Sequence, residues 1–517
     1  MNAQPNPPAS PPTFWVHAAA HPDALAVVDP DGTPHTAGAI LAEANRLVYG
    51  LRALGLQTGD AVAFVLSNRA EVLSLFMAAH QAGWFLTPIN HHLTAPEMAY
   101  ILTDSGARAV VTEARFGGLT AAAADSASVS AQARFSVDEA AGFRPLAALT
   151  VGQPDTTPPE RRAGATMTYT SGTTGKPKGV RRATMSLPPE LVGSSQAMFL
   201  ALFGITAAQP GTHLVVAPLY HTAVLNFTTN FLHLGHPAVL MDRWTPEGML
   251  DRIQRYRVTS THMVPTQFVR LLKLPEAERS GRDLSSMSHM IHGAAPCPVD
   301  VKHQMLAWWG DCIYEYYAAT EGGGTLIGPA EWRRKPGSVG KAWPISEISI
   351  RDDSGMELPR GTTGTVWIRM GDYRFEYHKD ESKTGEAWKG NFFTVGDAGY
   401  LDEEGYLTLC DRKADMIISG GVNLYPAEIE SVLIGHPAVL DVAVFGVADE
   451  DWGEQVRAVV QPAEGVIAGP ALEAEIFAWC EGRLARFKLP RTIRFTDALP
   501  RDPNGKLYKR KLREQFG

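Results

Sequence analysis

Between residues 61 and 111 the chain changes texture four times. Short apolar runs at 61–66, 85–89 and 107–111 alternate with longer amphipathic stretches at 68–82 and 96–102. Short continuous apolar runs suit strands buried on both faces, and an apolar stripe every three to four residues marks one side of a helix. Strand and helix in turn imply layers with largely parallel sheets, because parallel neighbours need a crossover long enough to hold a helix. The alternation resumes after the Pro-containing stretch 153–159, with strands expected at 213–217, 261–264 and 287–292 and helices at 247–258 and 265–274. A second α/β unit is the consequence.

From 347 to 409 the pattern becomes β-rich, with EISIRDDSG, GTVWIRM and GYLTLC separated by Gly- and Asp-rich turns, which predicts a barrel-like or hairpin element. Beyond Arg412 a shorter pattern predicts helices at 426–434 and 471–486 and strands at 441–446, 455–461 and 492–495, a small α+β domain. A chain of 517 residues has room for more than one domain at about 100–200 residues each. We divide it into an N-terminal domain, 1–413, of layered α/β sheets plus the β-barrel-like element, and a mobile C-terminal domain, 414–517. Met1 to Pro12 reads as a loose Pro-rich lead-in, without the basic start and apolar core of a secretory signal.

A net charge of −8 argues against a nucleic-acid partner, which would be held mainly by clustered Lys and Arg. The four cysteines, Cys297, Cys312, Cys410 and Cys480, are widely spread, so neither a disulfide framework nor a zinc site is indicated. They read as reduced core thiols of a cytoplasmic protein. No run reaches the ~18 apolar residues of a membrane-spanning helix.

The strongest chemical signal is TMTYTSGTTGKPKGV, Thr166 to Val180. Small residues let backbone N–H groups approach phosphate oxygens, hydroxyls add donors, and Lys176 and Lys178 add positive charge. On composition alone such a cluster is as often a flexible surface loop. It is not a Walker A loop, since Lys176 is followed by Pro177 rather than Ser or Thr.

The stretch TSGTTGKPKG closely resembles the phosphate-loop signature of the acyl-adenylate-forming enzymes, a family of acyl- and aryl-CoA ligases, peptide-synthetase adenylation domains and beetle luciferases. Further motifs follow in the family's order over nearly the whole chain. The resemblance implies that Thr170, Ser171, Gly172, Thr173, Thr174, Gly175 and Lys178 cradle the phosphates of ATP. In APLYHT it assigns His221 to the border of the acyl pocket. In HGAAP it lays Gly293, Ala294, Ala295 and Pro296 against adenine. In YEYYAATEGG it puts Tyr317 beside the adenine, Thr320 on the α-phosphate and Glu321 on Mg²⁺, with the bulky Tyr316 before Tyr317 in the binding set and expected to alter the acyl pocket. Asp397 and Arg412 match the residues that hold the ribose hydroxyls. Two departures stand out: Ala318 replaces the family's Gly, and Ala414 occupies the hinge where Asp or Lys is usual.

Past the hinge, Ser419, Gly420 and Gly421 match the loop that closes over the pantetheine path, and Trp452, Phe487 and Arg491 match positions that contact CoA in related ligases. Lys506, in NGKLYKRKLR, matches the lysine that bridges carboxylate and α-phosphate. The implied enzyme is an ATP-dependent acyl-CoA ligase using Mg²⁺ and coenzyme A. It would form acyl-AMP and pyrophosphate from a carboxylic acid, then the thioester and AMP. The implied catalytic set is Lys506, Thr320, Glu321 and His221. An adenylating enzyme that serves a carrier protein, and a non-catalytic nucleotide-binding protein, are the competing readings. Residues 217–236 hold no Asp or Glu to pair an amino-acid substrate's amine. An uncharged acyl group is expected, aromatic or cyclic ahead of aliphatic; a homodimer is left open.

Overall fold

The computed structural model describes residues 13–170, 177–181, 186–501 and 507–517. Its contacts divide the chain into two compact units. One holds residues up to His262 with Arg282–His289 and Tyr373–Gly385; the other holds Met263–Gly281, Met290–Asp372 and Glu386–Gly517. Among the described residues no helix is long and apolar enough to cross a membrane.

In the first unit the early alternation becomes a parallel six-stranded sheet. Its order is Arg144–Pro145, Arg134–Ser136, Ala107–Thr112, Ala61–Val65, Phe85–Pro88, Ala165–Thr166. Every residue of Ala61–Val65 is buried, so this strand reads as an unbroken apolar run. The helix Ala70–Ala82 ends where Gly83 turns left-handed at φ 75°. The helix Ala95–Ser105 begins at a capping box in which the Thr94 N–H donates to Glu97 Oε2 at 2.8 Å.

A second parallel set follows in the same unit. His213–Val215 lies between Ser260–Met263 and Ala238–Leu240, Leu25–Val28 pairs beside Ala238–Leu240, and Pro34–Thr36 adds an antiparallel edge. A separate antiparallel sheet of three short strands joins Thr168–Thr170, Lys178–Arg181 and Glu376–Tyr377.

In the second unit, the end of His289–His292 runs parallel to Ile313–Ala319, which turns back into Gly322–Ile327. The β-rich stretch is an antiparallel sheet of hairpins, with Gly364–Met370 paired to Ser346–Arg351, Phe392–Phe393 and Asp397–Leu401, and Asp397–Leu401 to Leu407–Arg412. The last hundred residues form a small α+β body around the hairpin Val439–Asp449/Gly453–Pro462, with Thr492–Phe495 parallel to its second arm. Ile429 and Leu433 on the helix Pro426–Leu433 are fully buried against that sheet, each contributing about 1.5–3 kcal/mol.

Two expectations need correction. The helix expected to reach 486 stops at Cys480, because Glu481 is extended and Gly482 takes φ 73°; only a single tight turn, Arg486–Lys488, follows. The strand expected at 441–446 is the middle of an arm of 11 residues, lengthened by register with its partner down to Asp449 opposite Gly453.

Candidate active site

The two legs of the proposed phosphate loop are a hairpin in which Thr170 lies opposite Lys178 and Tyr169 opposite Gly179. Ser171, Gly172, Thr173, Thr174 and Gly175, which connect the legs in sequence, lie outside the described residues. Gly179 suits a close approach, since a Cβ there would stand 3.0 Å from Tyr169 Cζ and 3.3 Å from His378 Cβ, and those side chains would have to shift. The Tyr169 hydroxyl donates to Asp104 Oδ2 at 2.7 Å, tying one leg to the end of the helix Ala95–Ser105. Burial, reinforced by Asp104, pushes that phenol far above its usual range. On the other leg Lys178 Nζ donates to Asp380 Oδ2 at 3.0 Å.

His221 occupies the position just before the helix Thr222–His233 and is half-buried. Its ring packs 4.5 Å from Tyr220, which meets the edge of His91 at 5.0 Å. The turn that carries it is pinned by Asn68, a residue the sequence reading passed over. Asn68 Nδ2 donates to Ala217 O (2.9 Å) and Met241 O (2.8 Å), and the Leu219 N–H donates to Asn68 Oδ1 (2.7 Å). One buried amide thus satisfies three backbone groups that would otherwise be orphaned. On the following helix, Phe227 stacks on His262 at 4.8 Å and meets Phe199 and Phe203 edge-on.

In the second unit, Gly293 lets the end of one strand lie against Tyr316 of the next: a Cβ on it would come within 2.7 Å of Tyr316 O and 2.8 Å of its ring. Ala294 then takes φ 67°, a left-handed conformation costing about 1–2 kcal/mol for a residue with a Cβ. The turn leaves Ala294 and Pro296 exposed and Ala295 half-exposed. Beneath it is a fully buried ion pair, Lys302 Nζ to Glu315 Oε2 at 2.5 Å, with His292 Nε2 3.6 Å from the same oxygen. Burial holds the Glu315 carboxyl above its usual range although Lys302 opposes the shift.

Tyr317, Asp397 and Arg412 come together from three separate motifs. The Tyr317 hydroxyl donates to Asp397 Oδ2 at 2.7 Å, and Arg412 Nε lies 3.5 Å from Asp397 Oδ1. Asp397 and Arg412 are opposite each other in a hairpin, so the register of one antiparallel pair sets their spacing. Burial, then the Asp397 charge, pushes the Tyr317 phenol up, leaving it a neutral donor.

Thr320 and Glu321 form the two-residue turn between Ile313–Ala319 and Gly322–Ile327, where the pairing slips by one residue. The glycines after the turn make that slip possible: Gly323 has φ 69°, and a Cβ on it would lie 2.4 Å from Ile368 Cγ2. Among the described residues no group of three or more His, Cys, Asp or Glu could hold a metal ion by itself. Glu321, 7% exposed at this turn, suits Mg²⁺, whose other ligands are ordinarily substrate phosphates and waters.

Ser419, Gly420 and Gly421 form the turn of the hairpin Ile417–Ser419/Val422–Leu424. The Gly420 N–H donates to Trp452 O at 2.8 Å, and the Arg491 guanidinium lies 5.7 Å from the Trp452 ring. Phe487 sits in its own short turn, 55% exposed, with Lys488 Nζ 5.7 Å from its ring. Ala414 lies in the tight turn Lys413–Asp415. Lys506 is outside the described residues; Arg501 and Leu507, on either side of it in sequence, pair with each other. Burial raises all four cysteine thiols, Cys312 to about 12 and Cys480 to about 11, so none is poised as a thiolate nucleophile.

Known proteins resemble this chain in sequence and in architecture. The chain is 34% identical over 478 residues to the long-chain-fatty-acid–CoA ligase FadD13 of Mycobacterium tuberculosis, covering 92% of this chain and 91% of that protein. It is 33% identical over 494 residues to a feruloyl-CoA synthase of Amycolatopsis, covering 94% and 95%. Its fold superposes on the o-succinylbenzoate CoA synthetase MenE of Bacillus subtilis, solved with the acyl-adenylate OSB-AMP, with a TM-score of 0.81, 28% identity and coverage of 97% and 98%. Residues 14–373 match the AMP-binding enzyme model and 428–506 the AMP-binding enzyme C-terminal domain. The chain belongs to the AMP-binding enzyme family.

Proposed function

We propose that this protein is an AMP-forming acid–thiol ligase that converts a carboxylic acid to its acyl-CoA thioester through an acyl-adenylate. The observation that carries the reading is the Tyr317–Asp397–Arg412 constellation, an aromatic ring, a hydroxyl acceptor and a cation on one stretch of surface, suited to a nucleoside. Kinship with ligases for long-chain fatty, ferulic and succinylbenzoic acids supports the same chemistry.

A carboxylate oxygen is a poor leaving group, so the acid must first be activated. Its carboxylate attacks the α-phosphorus of ATP, a P–O bond forms, and pyrophosphate departs with the bonding pair. Lys178 and the 170–175 loop hold the departing phosphates, Thr320 donates to the α-phosphate, and Lys506 bridges carboxylate and phosphate, lowering the barrier by positioning and charge. Mg²⁺, held at Glu321, supplies neutralisation of phosphate charge when bound. In the second step the CoA thiolate attacks the acyl carbonyl and AMP leaves. Lys506 and the thiol cannot occupy the same side of the carboxylate together. We therefore assign 414–517 as a mobile domain that turns about Ala414 and exchanges Lys506 for the Ser419–Gly421 turn. Trp452, Phe487 and Arg491 would receive CoA beside that turn, His221 would border the acyl group, and the enzyme would work in the cytoplasm without nucleic acid.

The test is pyrophosphate release across a panel of aromatic, cyclic and aliphatic acids, with and without CoA. Acid-dependent pyrophosphate, with AMP and thioester appearing only when CoA is added, is expected. No acid-dependent pyrophosphate from any acid would sink the reading. Acyl transfer to a phosphopantetheinyl carrier protein but not to CoA would replace it with the carrier-protein alternative.

A further inference from the structure

The Lys178–Asp380 contact belongs to no motif of the sequence, yet three observations converge on it. Asp380 divides its carboxylate between two tasks: Oδ1 accepts from the Lys383 N–H at 3.0 Å, capping the helix Glu381–Ala387, and Oδ2 accepts from Lys178 Nζ at 3.0 Å. The residue before it, Lys379, adopts φ 56°, a strained conformation for a side chain with a Cβ, and this bend turns Asp380 toward the hairpin. The bend is itself anchored, with the His378 N–H donating to Gly179 O at 2.8 Å and Lys379 Nζ to Asp104 O at 2.6 Å. The Lys178 side chain is only 14% exposed, so its ammonium has little bulk water to replace a lost counter-ion.

We propose that Asp380 is a positioning residue for the phosphate end of the nucleotide: it holds Lys178 on its carboxylate, yields it to the incoming phosphates, and takes it back as pyrophosphate leaves. The inference rests on the reading of Lys178 as a phosphate contact. Both anions draw on the same ammonium, so the ion pair opposes phosphate binding and shortens the stay of the product. A phosphate loop with an uncompensated lysine would bind ATP more tightly and release pyrophosphate more slowly. The helix cap and the ion pair use different oxygens, and the two roles can therefore be separated by substitution.

Asp380→Asn and Asp380→Ser both keep a side chain able to cap the helix and both remove the charge. Equilibrium binding of MgATP, inorganic pyrophosphate and AMP would be measured for these variants, for Lys178→Met and for Lys178→Met/Asp380→Asn. For a pair with one partner mostly buried and the other partly exposed the expected gain is roughly two- to fivefold tighter binding of MgATP and pyrophosphate. AMP, which lacks the β- and γ-phosphates, should bind as before, and adding Asp380→Asn to Lys178→Met should change nothing. Weaker or unchanged ATP binding in whichever of the two Asp380 variants folds would overturn the proposal. So would an equal shift for AMP, or the same gain without Lys178. If Lys178→Met leaves ATP and pyrophosphate affinity intact, the phosphate-loop reading fails first and the proposal with it. If Lys178→Met weakens both while the Asp380 variants are silent, only the proposal fails.

Discussion

The Tyr317 hydroxyl donates its hydrogen bond to a carboxylate rather than to water, and a hydrogen bond to a charged acceptor is worth about 1.5–3 kcal/mol. Tyr317→Phe should therefore cost about 1.5–3 kcal/mol of stability and, by releasing Asp397, weaken AMP and ATP binding to the same extent as each other. Equal binding of both nucleotides to variant and parent, measured by calorimetry, would remove Tyr317 from the nucleoside site. Lys506→Ala should slow acyl-AMP formation by about a hundredfold or more while leaving thioester formation from supplied acyl-AMP nearly intact. Single-turnover assays of the two halves decide it, and equal loss in both defeats the assignment. Gly421→Leu should do the reverse. A Cβ at Gly421 meets nothing within 4 Å, so steric overlap does not confuse the result, though φ 78° adds about 1–2 kcal/mol of backbone strain. Normal CoA turnover in that variant would exclude the turn from the thiol's path. These residues could be named from the sequence because each sits inside a short contiguous motif. Asn68 and Asp380 could not, since their partners lie 149 and 202 residues away and no local pattern announces a contact at that range.

Elements were legible where their ends carry local chemistry. Thr94 with Glu97 starts one helix, Gly83 stops another, and Pro426 opens the helix after the Ser419–Gly421 turn. The long arms of the hairpin Val439–Asp449/Gly453–Pro462 were not, because a partner's register rather than local alternation sets how far a ladder extends. The same limit hid the buried pair Lys302–Glu315, which ties the helix Val299–Trp309 to the strand that carries Tyr316 and Tyr317. Lys302→Met should cost about 3–5 kcal/mol by leaving Glu315 buried without a counter-charge. Adding Glu315→Leu should recover much of that loss. Chemical denaturation of the two variants is the check; a double variant no more stable than the single would show that packing, not charge, holds this junction.

At the scale of the whole molecule, burial of neutral histidines in the first unit makes stability depend on pH. Burial lowers His80 and His233 to about 3 and His262 to about 4. His233 Nδ1 also accepts from the Phe14 N–H at 3.1 Å, a bond that protonation there would break. Above pH 6.5 folded and unfolded chains are both neutral at these rings, and the contribution to stability is complete. As pH falls below 6.5 the unfolded chain takes up protons that the folded chain refuses, so stability falls continuously until about pH 4 for His262 and about pH 3 for His80 and His233. The expected slope is about 1.4 kcal/mol per pH unit for each ring. Melting temperatures between pH 7.5 and 5 should fall, and His233→Gln should flatten the trend; a flat profile for the parent would contradict the burial. The hairpin whose legs flank the proposed phosphate loop has a different consequence, one of timing. Its outer leg finds its edge partner only when Arg181 meets Glu376 and Val180 meets Tyr377, long after residues 168–181 have left the ribosome. At about 5–20 residues per second, a nascent chain carries these unpaired edges for roughly ten to forty seconds. On the proposed reading of that loop, a chain released before residues 376–377 emerge should hold no stable seat for ATP, and the first nucleotide would arrive late in synthesis.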